Sequence, residues 1–393
     1  MSFRTYLEEK KELQDCLLGF IDHDGIDDRS YQKLINVIKH QQISEIRSSF
    51  LTLLHLLNAI STNHHRTSDL YAKIDKILSY LKKDIKREFT NLEIFHIFKQ
   101  NKRVLLSLIQ NDLFTIDQTI ADVLLKSKYY KLKYPHYFYP EIKQFLLDDK
   151  LRHEIEKEVT KYSDNFDENR KIGENHTKIC SLIRNDSIED FKSHVTQEKQ
   201  SSYVEFSIFE TNPLLLKNKV YLLEYSAFFG SIQIFNFLKE SDRITSETWI
   251  YAVHGNNLEI IKTIQDKKIR PKDSSFALLL KECFRCQHHE LASYVKDNLL
   301  QIRKEKENLV LSECIKFYDY SNFPQELNNQ AAFYNFCYAD NASFVSGLLG
   351  LVKKDFKINE LVSNIIIIQL FYKISIKILL MEFQSNFFNT ISI

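Results

Sequence analysis

Two segments in the second half of the chain decide the fold, because they repeat one pattern without a gap. The segments are Ser226-Ala227-Phe228-Phe229-Gly230-Ser231-Ile232-Gln233-Ile234-Phe235-Asn236-Phe237-Leu238 and Ala252-Val253-His254-Gly255-Asn256-Asn257-Leu258-Glu259-Ile260-Ile261-Lys262-Thr263-Ile264. Each has two small residues, then a turn residue, then apolar residues at helical spacing. A turn residue that tolerates the left-handed conformation ends the first helix, and the apolar residues bury the second helix. The pattern therefore predicts a repeated helix pair.

The same pattern returns more loosely in five further places along the chain. Their predicted turn residues are Asn101, Asp186, Gln287, Tyr318 and Asp340. The copy around Asn101 lies in the N-terminal half and buries Leu105, Leu106, Leu108 and Ile109. From Asp186 to Asp340 the turns are unevenly spaced, so the predicted array is irregular, most of all at its two ends.

The composition agrees with helices and excludes several classes of protein. The 393 residues include only 7 Gly and 5 Pro, which leaves little material for β-hairpins or for loops that cradle phosphates. Hydrophobic residues make up 44% of the chain, enough for a sizeable core. The net charge of +1 argues against bulk electrostatic capture of nucleic acid or of an anionic membrane. The prediction is an all-α protein.

Four regions follow from the pattern. Residues 1–150 are predicted to form a helical bundle or an irregular helical repeat, and residues 151–175 a charged helix and a flexible linker. Residues 176–350 are predicted to form the helix-pair array. The strongly apolar tail, residues 351–393, leaves three interpretations open: a packed helix, a membrane anchor, or a truncated or frame-shifted end.

The two best segments resemble the ankyrin repeat, whose helix pair reads A-A-x-x-G-x-x-x-x-V-x-x-L. Their context, from Tyr221 to Ser231 and from Trp249 to Glu259, resembles the ankyrin-repeat proteins of trichomonad protists that carry a domain of unknown function. The resemblance implies a degenerate ankyrin-like solenoid and a general binding role, without catalytic residues. The T-P-L-H turn motif of ankyrin repeats is missing, so the β-turn fingers between helix pairs are expected to be absent or rebuilt.

The most suggestive cluster for metal chemistry is Cys283-Phe284-Arg285-Cys286-Gln287-His288-His289. It offers C-x2-C and two histidines, but no second ligand pair follows at the spacing of a zinc finger. The favoured interpretation puts Cys283 at the small position of a helix pair and His288 in the turn region. We therefore expect no metal, no cofactor and no catalytic residue here.

The stretch Lys126 to Pro140 interleaves four lysines with five tyrosines, as single-stranded nucleic-acid sites do. Acidic residues in the neighbouring sequence cancel the positive potential of the lysines. The favoured interpretation is therefore a connector between helices that packs against the protein through its tyrosines. No nucleotide-binding or nucleophile-elbow motif occurs, which leaves no local signature of an enzyme.

The leading hypothesis is a scaffold that binds another protein through the exposed face of the array and catalyses no reaction. The expected contact residues, chosen as exposed positions of the first helices, are Phe228, Tyr251, His254 and Arg285. Two alternatives are a membrane-tethered adaptor that uses the apolar tail and a helical repeat that binds nucleic acid. The start of the chain lacks the apolar core of a signal peptide, so a cytoplasmic location is expected, with the nucleus as the alternative.

Overall fold

The fold is known from a computed structural model, which describes residues 3–197, 202–216, 219–273, 275–300 and 313–323. Within these ranges the regular structure is helical, and no strand occurs. Tyr203 and Tyr221 form one isolated antiparallel bridge. The predicted all-α class is therefore confirmed for the described part of the chain.

The helices are short, and most are joined by brief turns. The N-terminal ones are α1 (Phe3–Ile21), α2 (Asp28–His40), α3 (Arg47–Asn63), α4 (Leu70–Tyr80), α5 (Lys82–Glu88), α6 (Asn91–Phe98), α7 (Lys102–Gln110), α8 (Gln118–Leu124), α9 (Ser127–Lys131), α10 (Tyr134–Tyr137) and α11 (Tyr139–Ile142). The later ones are α12 (Asp149–Val159), α13 (Phe166–Ile172), α14 (Lys178–Arg184), α15 (Ile188–Gln197), α16 (Leu222–Phe228), α17 (Ile232–Leu238), α18 (Thr248–Gly255), α19 (Leu258–Asp266), α20 (Ala277–Cys286) and α21 (His289–Tyr294). Two 3-10 segments, Lys143–Phe145 and Thr160–Asn165, and one π-helical segment, Val295–Leu299, complete the set.

The chain divides into two compact units. Of the described residues, the first unit contains 3–19, 28–53 and 313–323, and the second contains 20–27 and the described ranges between 54 and 300. In the first unit, the Gln14 side chain accepts hydrogen bonds from the backbone N–H groups of Tyr320 and Ser321, at 2.9 and 3.1 Å. These bonds hold the described segment 313–323 against α1, although more than 300 residues of sequence separate them.

The second unit contains four consecutive helix pairs, α14–α15, α16–α17, α18–α19 and α20–α21. Within each pair the two helices pack against each other, and the first helices α14, α16, α18 and α20 pack in chain order. The second helices α15, α17 and α19 also pack in chain order. The predicted helix pairs are therefore present, and neighbouring pairs stack on one another.

The predicted turn residues adopt the left-handed conformation that the sequence pattern requires. Asp186, Gly230, Asn256, Gln287 and Tyr318 all have positive φ, between 49 and 67°. At four of them the backbone N–H of the turn residue donates to the carbonyl three residues earlier. The N–H of the next residue donates to the carbonyl five residues before it. This arrangement satisfies carbonyls that a helix end leaves unpaired, and it reverses the chain within two residues.

Three of these turns, at Gly230, Asn256 and Gln287, are also bonded to the preceding pair by the side chain just after the left-handed residue. Ser231 Oγ donates to the carbonyl of Ile183 at 2.6 Å, and Asn257 Nδ2 donates to that of Gly230 at 3.0 Å. His288 continues the series, with Nδ1 2.9 Å from the carbonyl oxygen of Val253. We call these three side chains the turn ladder. Each bond joins one pair to the next, and those to the buried residues Ile183 and Val253 pair carbonyls that water does not reach.

The closest contact between pairs involves the small residues that the pattern singled out. Ala227 and Ala252 are fully buried. A Cβ atom added at Gly255 would collide with the carbonyl oxygen of Ala227 and approach the amide nitrogen of Gly230 to 2.8 Å. The ends of α16 and α18 thus meet through backbone atoms, which requires glycine at position 255.

The N-terminal copy of the pattern is also a helix pair, formed by α6 and α7. Its turn differs, because Asn101 has φ −125° and acts as the N-cap of α7. The Asn101 side chain accepts from the N–H groups of Arg103 and Val104, both at 3.1 Å. The predicted turn position is therefore confirmed without a left-handed residue.

The charged helix predicted within residues 151–175 is present as α12, and helical segments rather than a flexible linker follow it up to Ile172. Residues 149–172 are helical, and Phe166 and Arg170 are buried. The Tyr137 hydroxyl donates to the carbonyl of Arg170 at 2.6 Å, and the Arg170 guanidinium pairs with Glu141. The sequence looked like a linker because its few apolar residues are compensated by a buried arginine that local composition does not reveal.

The tyrosine-rich stretch is a packed connector, as favoured by the sequence. The Tyr134 and Tyr137 rings are buried, and the Lys102 ammonium lies 5.6 and 5.1 Å from their centroids. Lys102 also donates to the carbonyls of Leu132 and Ile208, at 3.1 and 3.0 Å. Two of the rings proposed to stack on bases are therefore occupied inside the protein.

Two sequence predictions fall outside the described residues: the turn at Asp340 and the apolar tail, residues 351–393. In the ranges that the structure does describe, no helix combines the length and apolarity needed to cross a membrane.

Replacing Gly255 by alanine should lower the free energy of unfolding by about 1–3 kcal/mol, because the new methyl group forces the backbones of α16 and α18 apart. Urea denaturation of the full chain measures the change. The matched control is Gly19→Ala in α1, where an added Cβ meets nothing within 4 Å. That substitution should stabilise the helix by about 0.5–1 kcal/mol. Equal effects of the two substitutions would contradict the close contact.

Acid should weaken the fold in part through His136, which is buried with Nε2 3.0 Å from Glu158 Oε2. Burial and the neighbouring Lys133 lower the pKa of His136 to about 4, against the opposing charge of Glu158. Unfolded histidine titrates near pH 6.5, so the unfolded chain takes up this proton first. The contribution of neutral His136 to the free energy of unfolding is complete above about pH 6.5 and is lost as the pH falls toward 4.

The measurement is urea unfolding at several pH values between 4 and 7. His136→Gln should lose stability less steeply than the native chain over this window. Exposed His153, replaced in the same way, is the control and should leave the slope unchanged. If the two variants have the same slope, His136 does not stay neutral in the fold.

Candidate functional site

The structure buries three of the four residues expected to contact a partner. Phe228, Tyr251 and His254 are buried, and the Arg285 side chain is 35% exposed. The Phe228 ring stacks on the His254 ring, with centroids 5.0 Å apart. The expected exposure of these three residues is therefore wrong.

The physical reason is that α16 and α18, which carry these three residues, are almost completely buried. Every residue of α16 is buried, and in α18 only Ile250 and Gly255 have partial exposure. The register within a repeat predicted an outward face for these helices, but it cannot show what other parts of the chain lie over that face.

A cluster of polar side chains in the second unit is the best candidate for a chemical site. It consists of Asp22, which follows α1, the pair His64 and His65 directly after α3, and His288 in the turn between α20 and α21. We call these four residues the histidine cluster. Three chain segments far apart in sequence thus supply three imidazoles and one carboxylate to one place.

Three short distances between side-chain atoms connect the four residues. His64 Nε2 lies 2.6 Å from Asp22 Oδ1, and His65 Nε2 lies 3.7 Å from the same oxygen. His65 Nδ1 lies 3.3 Å from His288 Nε2. One nitrogen from each of the three rings can be chosen so that all three lie within 4.8 Å of each other.

Backbone carbonyls orient two of the rings. His64 Nδ1 lies 2.7 Å from the carbonyl oxygen of Cys286, and His288 Nδ1 lies 2.9 Å from that of Val253. A carbonyl only accepts hydrogen bonds, so both Nδ1 atoms carry the proton. In the neutral rings, Nε2 therefore keeps its lone pair, and it points toward the rest of the cluster.

Burial and neighbouring charges favour the neutral forms of His65 and His288 and the ionised form of Asp22. Burial and the charge of His64 lower the pKa of His65 to about 4, despite the attraction of Asp22. Burial, together with His64, His65 and His254, lowers the pKa of His288 well below its ordinary value. Burial alone would raise the pKa of Asp22, but the hydrogen bond from His64 and the nearby cationic groups lower it overall.

Burial differs among the four residues. His64 and His288 are buried, whereas the His65 side chain is 24% exposed and that of Asp22 is 44% exposed. Lys73 holds the segment that carries Asp22 by donating to the carbonyls of Ile21 and His23. The cluster is therefore open to solvent on the side of Asp22 and His65.

A second group, His254, Glu282 and Cys286, lies close by in the same unit. His254 Nε2 lies 2.8 Å from Glu282 Oε1, and His254 Nδ1 is buried without a hydrogen-bond partner. Burial raises the pKa of the Cys286 thiol well above its ordinary value. A protonated thiol is a poor metal ligand, so this group is less suited to bind a cation than the histidine cluster.

The sequence located one residue of the cluster and missed the other three. His288 lies just after the left-handed Gln287, as predicted, and Cys283 is buried at the small position of its helix pair. Cys283 belongs to neither of the two groups described here. The available signal was a second His-His doublet at 64–65, but more than 220 residues separate it from His288.

Comparisons with known proteins do not assign the chain to a family. No protein-family model matches it, and neither the curated proteins nor the solved structures contain a match.

Proposed function

We propose that this chain is a scaffold that binds another protein through an ankyrin-like solenoid of stacked helix pairs, without catalysing a reaction. The observation that carries the proposal is the stack itself: four helix pairs in chain order, reversed by left-handed turns and bonded by the turn ladder. Stacked repeats of this kind bury their core between neighbours and leave an extended flank that can vary without harm to the fold.

The burial of α16 and α18 moves the expected contact to the second helices. Helices α15, α17 and α19 pack in order and keep one face exposed. We call this surface the second-helix face, and its exposed residues include Glu189, Gln233, Phe237, Leu258, Glu259 and Lys262. Within it, Phe237 and Leu258 are 40% and 41% exposed.

The second-helix face has the composition of a protein-binding surface. Large apolar side chains stand among charged ones, which matches interfaces with apolar anchors and a polar rim. The Phe191 and Phe237 rings form a T-shaped contact with centroids 6.2 Å apart, and the Lys192 ammonium lies 5.9 Å from the Phe237 centroid. These contacts hold Phe237 in place, which lowers the entropic cost of using it as an anchor.

The proposal includes a cytoplasmic or nuclear location. Within the described residues, Cys16, Cys180 and Cys286 are buried thiols that form no disulfide. Buried unpaired cysteines are typical of proteins kept in a reducing compartment.

The test is affinity purification of the full chain after cross-linking in cells, with quantitative mass spectrometry of the proteins recovered. A variant that carries Phe237→Asp and Leu258→Asp should recover the specific partner at least about tenfold less than the native chain, because it loses both apolar anchors. The matched control is Leu147→Asp, which changes a leucine that is 87% exposed and lies outside the array.

The control should recover the partner as the native chain does, and circular dichroism should show equal helix content in all three proteins. Equal recovery by the double variant and the control would contradict the assignment of the second-helix face. If no protein is enriched with the native chain over an unrelated helical protein, the scaffold function itself is contradicted.

A further inference from the structure

The histidine cluster contains two facing acceptor atoms that require a positive charge between them. His64 Nδ1 donates to the carbonyl of Cys286, so in the neutral ring Nε2 is an acceptor. Nε2 nevertheless lies 2.6 Å from the carboxylate oxygen Asp22 Oδ1, which is also an acceptor. Only a positive charge shared by these two atoms makes the contact favourable, and that charge is either a second ring proton or a metal ion.

We propose that Asp22, His64, His65 and His288 bind one zinc ion, with Nε2 of His64, Nδ1 of His65, Nε2 of His288 and a carboxylate oxygen of Asp22 as ligands. Three imidazole nitrogens and one oxygen form a donor set that zinc accepts in tetrahedral geometry. Calcium and magnesium are disfavoured because they prefer oxygen ligands.

The three histidines already lie within reach of one ion, since one nitrogen from each ring lies within 4.8 Å of the others, whereas Asp22 lies outside this group. Ligand atoms about 2.0–2.1 Å from a tetrahedral zinc ion lie about 3.3 Å from one another. His65 Nδ1 and His288 Nε2 lie at that separation, 3.3 Å. His64 Nε2 and Asp22 Oδ1 are closer than this, at 2.6 Å, and Asp22 Oδ1 lies 3.7 Å from His65 Nε2, so the partly exposed Asp22 side chain must rotate to complete the site.

The surroundings of the rings support metal binding independently of the ligand distances. In metal sites the second nitrogen of a ligating histidine commonly donates to a carbonyl or carboxylate, which fixes the ring and its tautomer. His64 and His288 both have this hydrogen bond, to Cys286 and Val253. His288 belongs to the turn ladder, so the stacking of helix pairs positions the ligand.

A site with four protein ligands is a structural site rather than a catalytic one. Zinc would join the segment after α1, the end of α3 and the turn before α21, which lie far apart in sequence. Because the unfolded chain cannot hold these ligands together, the binding free energy adds to the stability of the fold. This inference does not depend on the proposed protein binding.

The experiment uses the full chain, purified without histidine tag, stripped with a chelator and then equilibrated with zinc and dialysed. Elemental mass spectrometry should find one zinc per chain, and cobalt in its place should give the visible absorption of a tetrahedral ion. The midpoint of thermal unfolding should rise when zinc is added. Less than a tenth of a zinc ion per chain would overturn the proposal.

Three variants remove one ligand each: Asp22→Asn, His65→Asn and His288→Asn. Each should raise the dissociation constant for zinc at least about 100-fold, more than the loss of an outer hydrogen bond to a ligand does. Asp22 and His65 are partly exposed, so their variants keep the test valid if His288→Asn does not fold.

Three controls separate this site from other histidines and from the neighbouring group. His254→Asn and Cys286→Ser change the second group, and His176→Asn changes a half-buried histidine elsewhere in the same unit. All three should keep the native affinity for zinc. Zinc that is lost in Cys286→Ser but retained in His65→Asn would overturn the assignment and place the metal at the second group. Zinc retained by all three ligand variants would also overturn it.

Discussion

The helix-pair array depends on one constraint, which is that each first helix must end on a left-handed residue so that the chain reverses within two positions. The reversal lets the backbone N–H of the following residue donate to the carbonyl five positions earlier. Ser231 donates in this way to Ser226, and His288 to Cys283. It also turns the side chain of that following residue toward the preceding pair. The turn ladder of Ser231, Asn257 and His288 follows from this geometry.

The same constraint links architecture to chemistry. His288 occupies a position where any side chain able to donate to the Val253 carbonyl would hold the stack, as serine and asparagine do elsewhere. A histidine makes this hydrogen bond with Nδ1 and leaves Nε2, on the other side of the ring, for a second contact. That second nitrogen meets His65, so a structural position in the repeat also becomes a member of the histidine cluster.

The sequence was sufficient for features that local chemistry determines. The turns at Asp186, Gly230, Asn256, Gln287 and Tyr318 were predicted because each is set by residues within a few positions of it. Features that depend on distant parts of the chain were not predictable in this way. The cover over α16 and α18, which buries Phe228, Tyr251 and His254, has no signature within those helices. The meeting of Asp22 and His64 with His288 likewise depends on tertiary packing, and the buried Arg170 made an ordered helical region look like a linker.

Hydrogen exchange of the native full chain, followed by mass spectrometry, tests most directly whether the turns bind the helix pairs into one stack. The amides of Ser187, Ser231 and His288 donate the five-residue bonds of three successive turns. If the pairs are coupled, these amides exchange slowly, and their peptides open with one common free energy that falls together in mild denaturant. Exchange at the rate of exposed loops, or three unrelated opening free energies, would contradict the stacked arrangement.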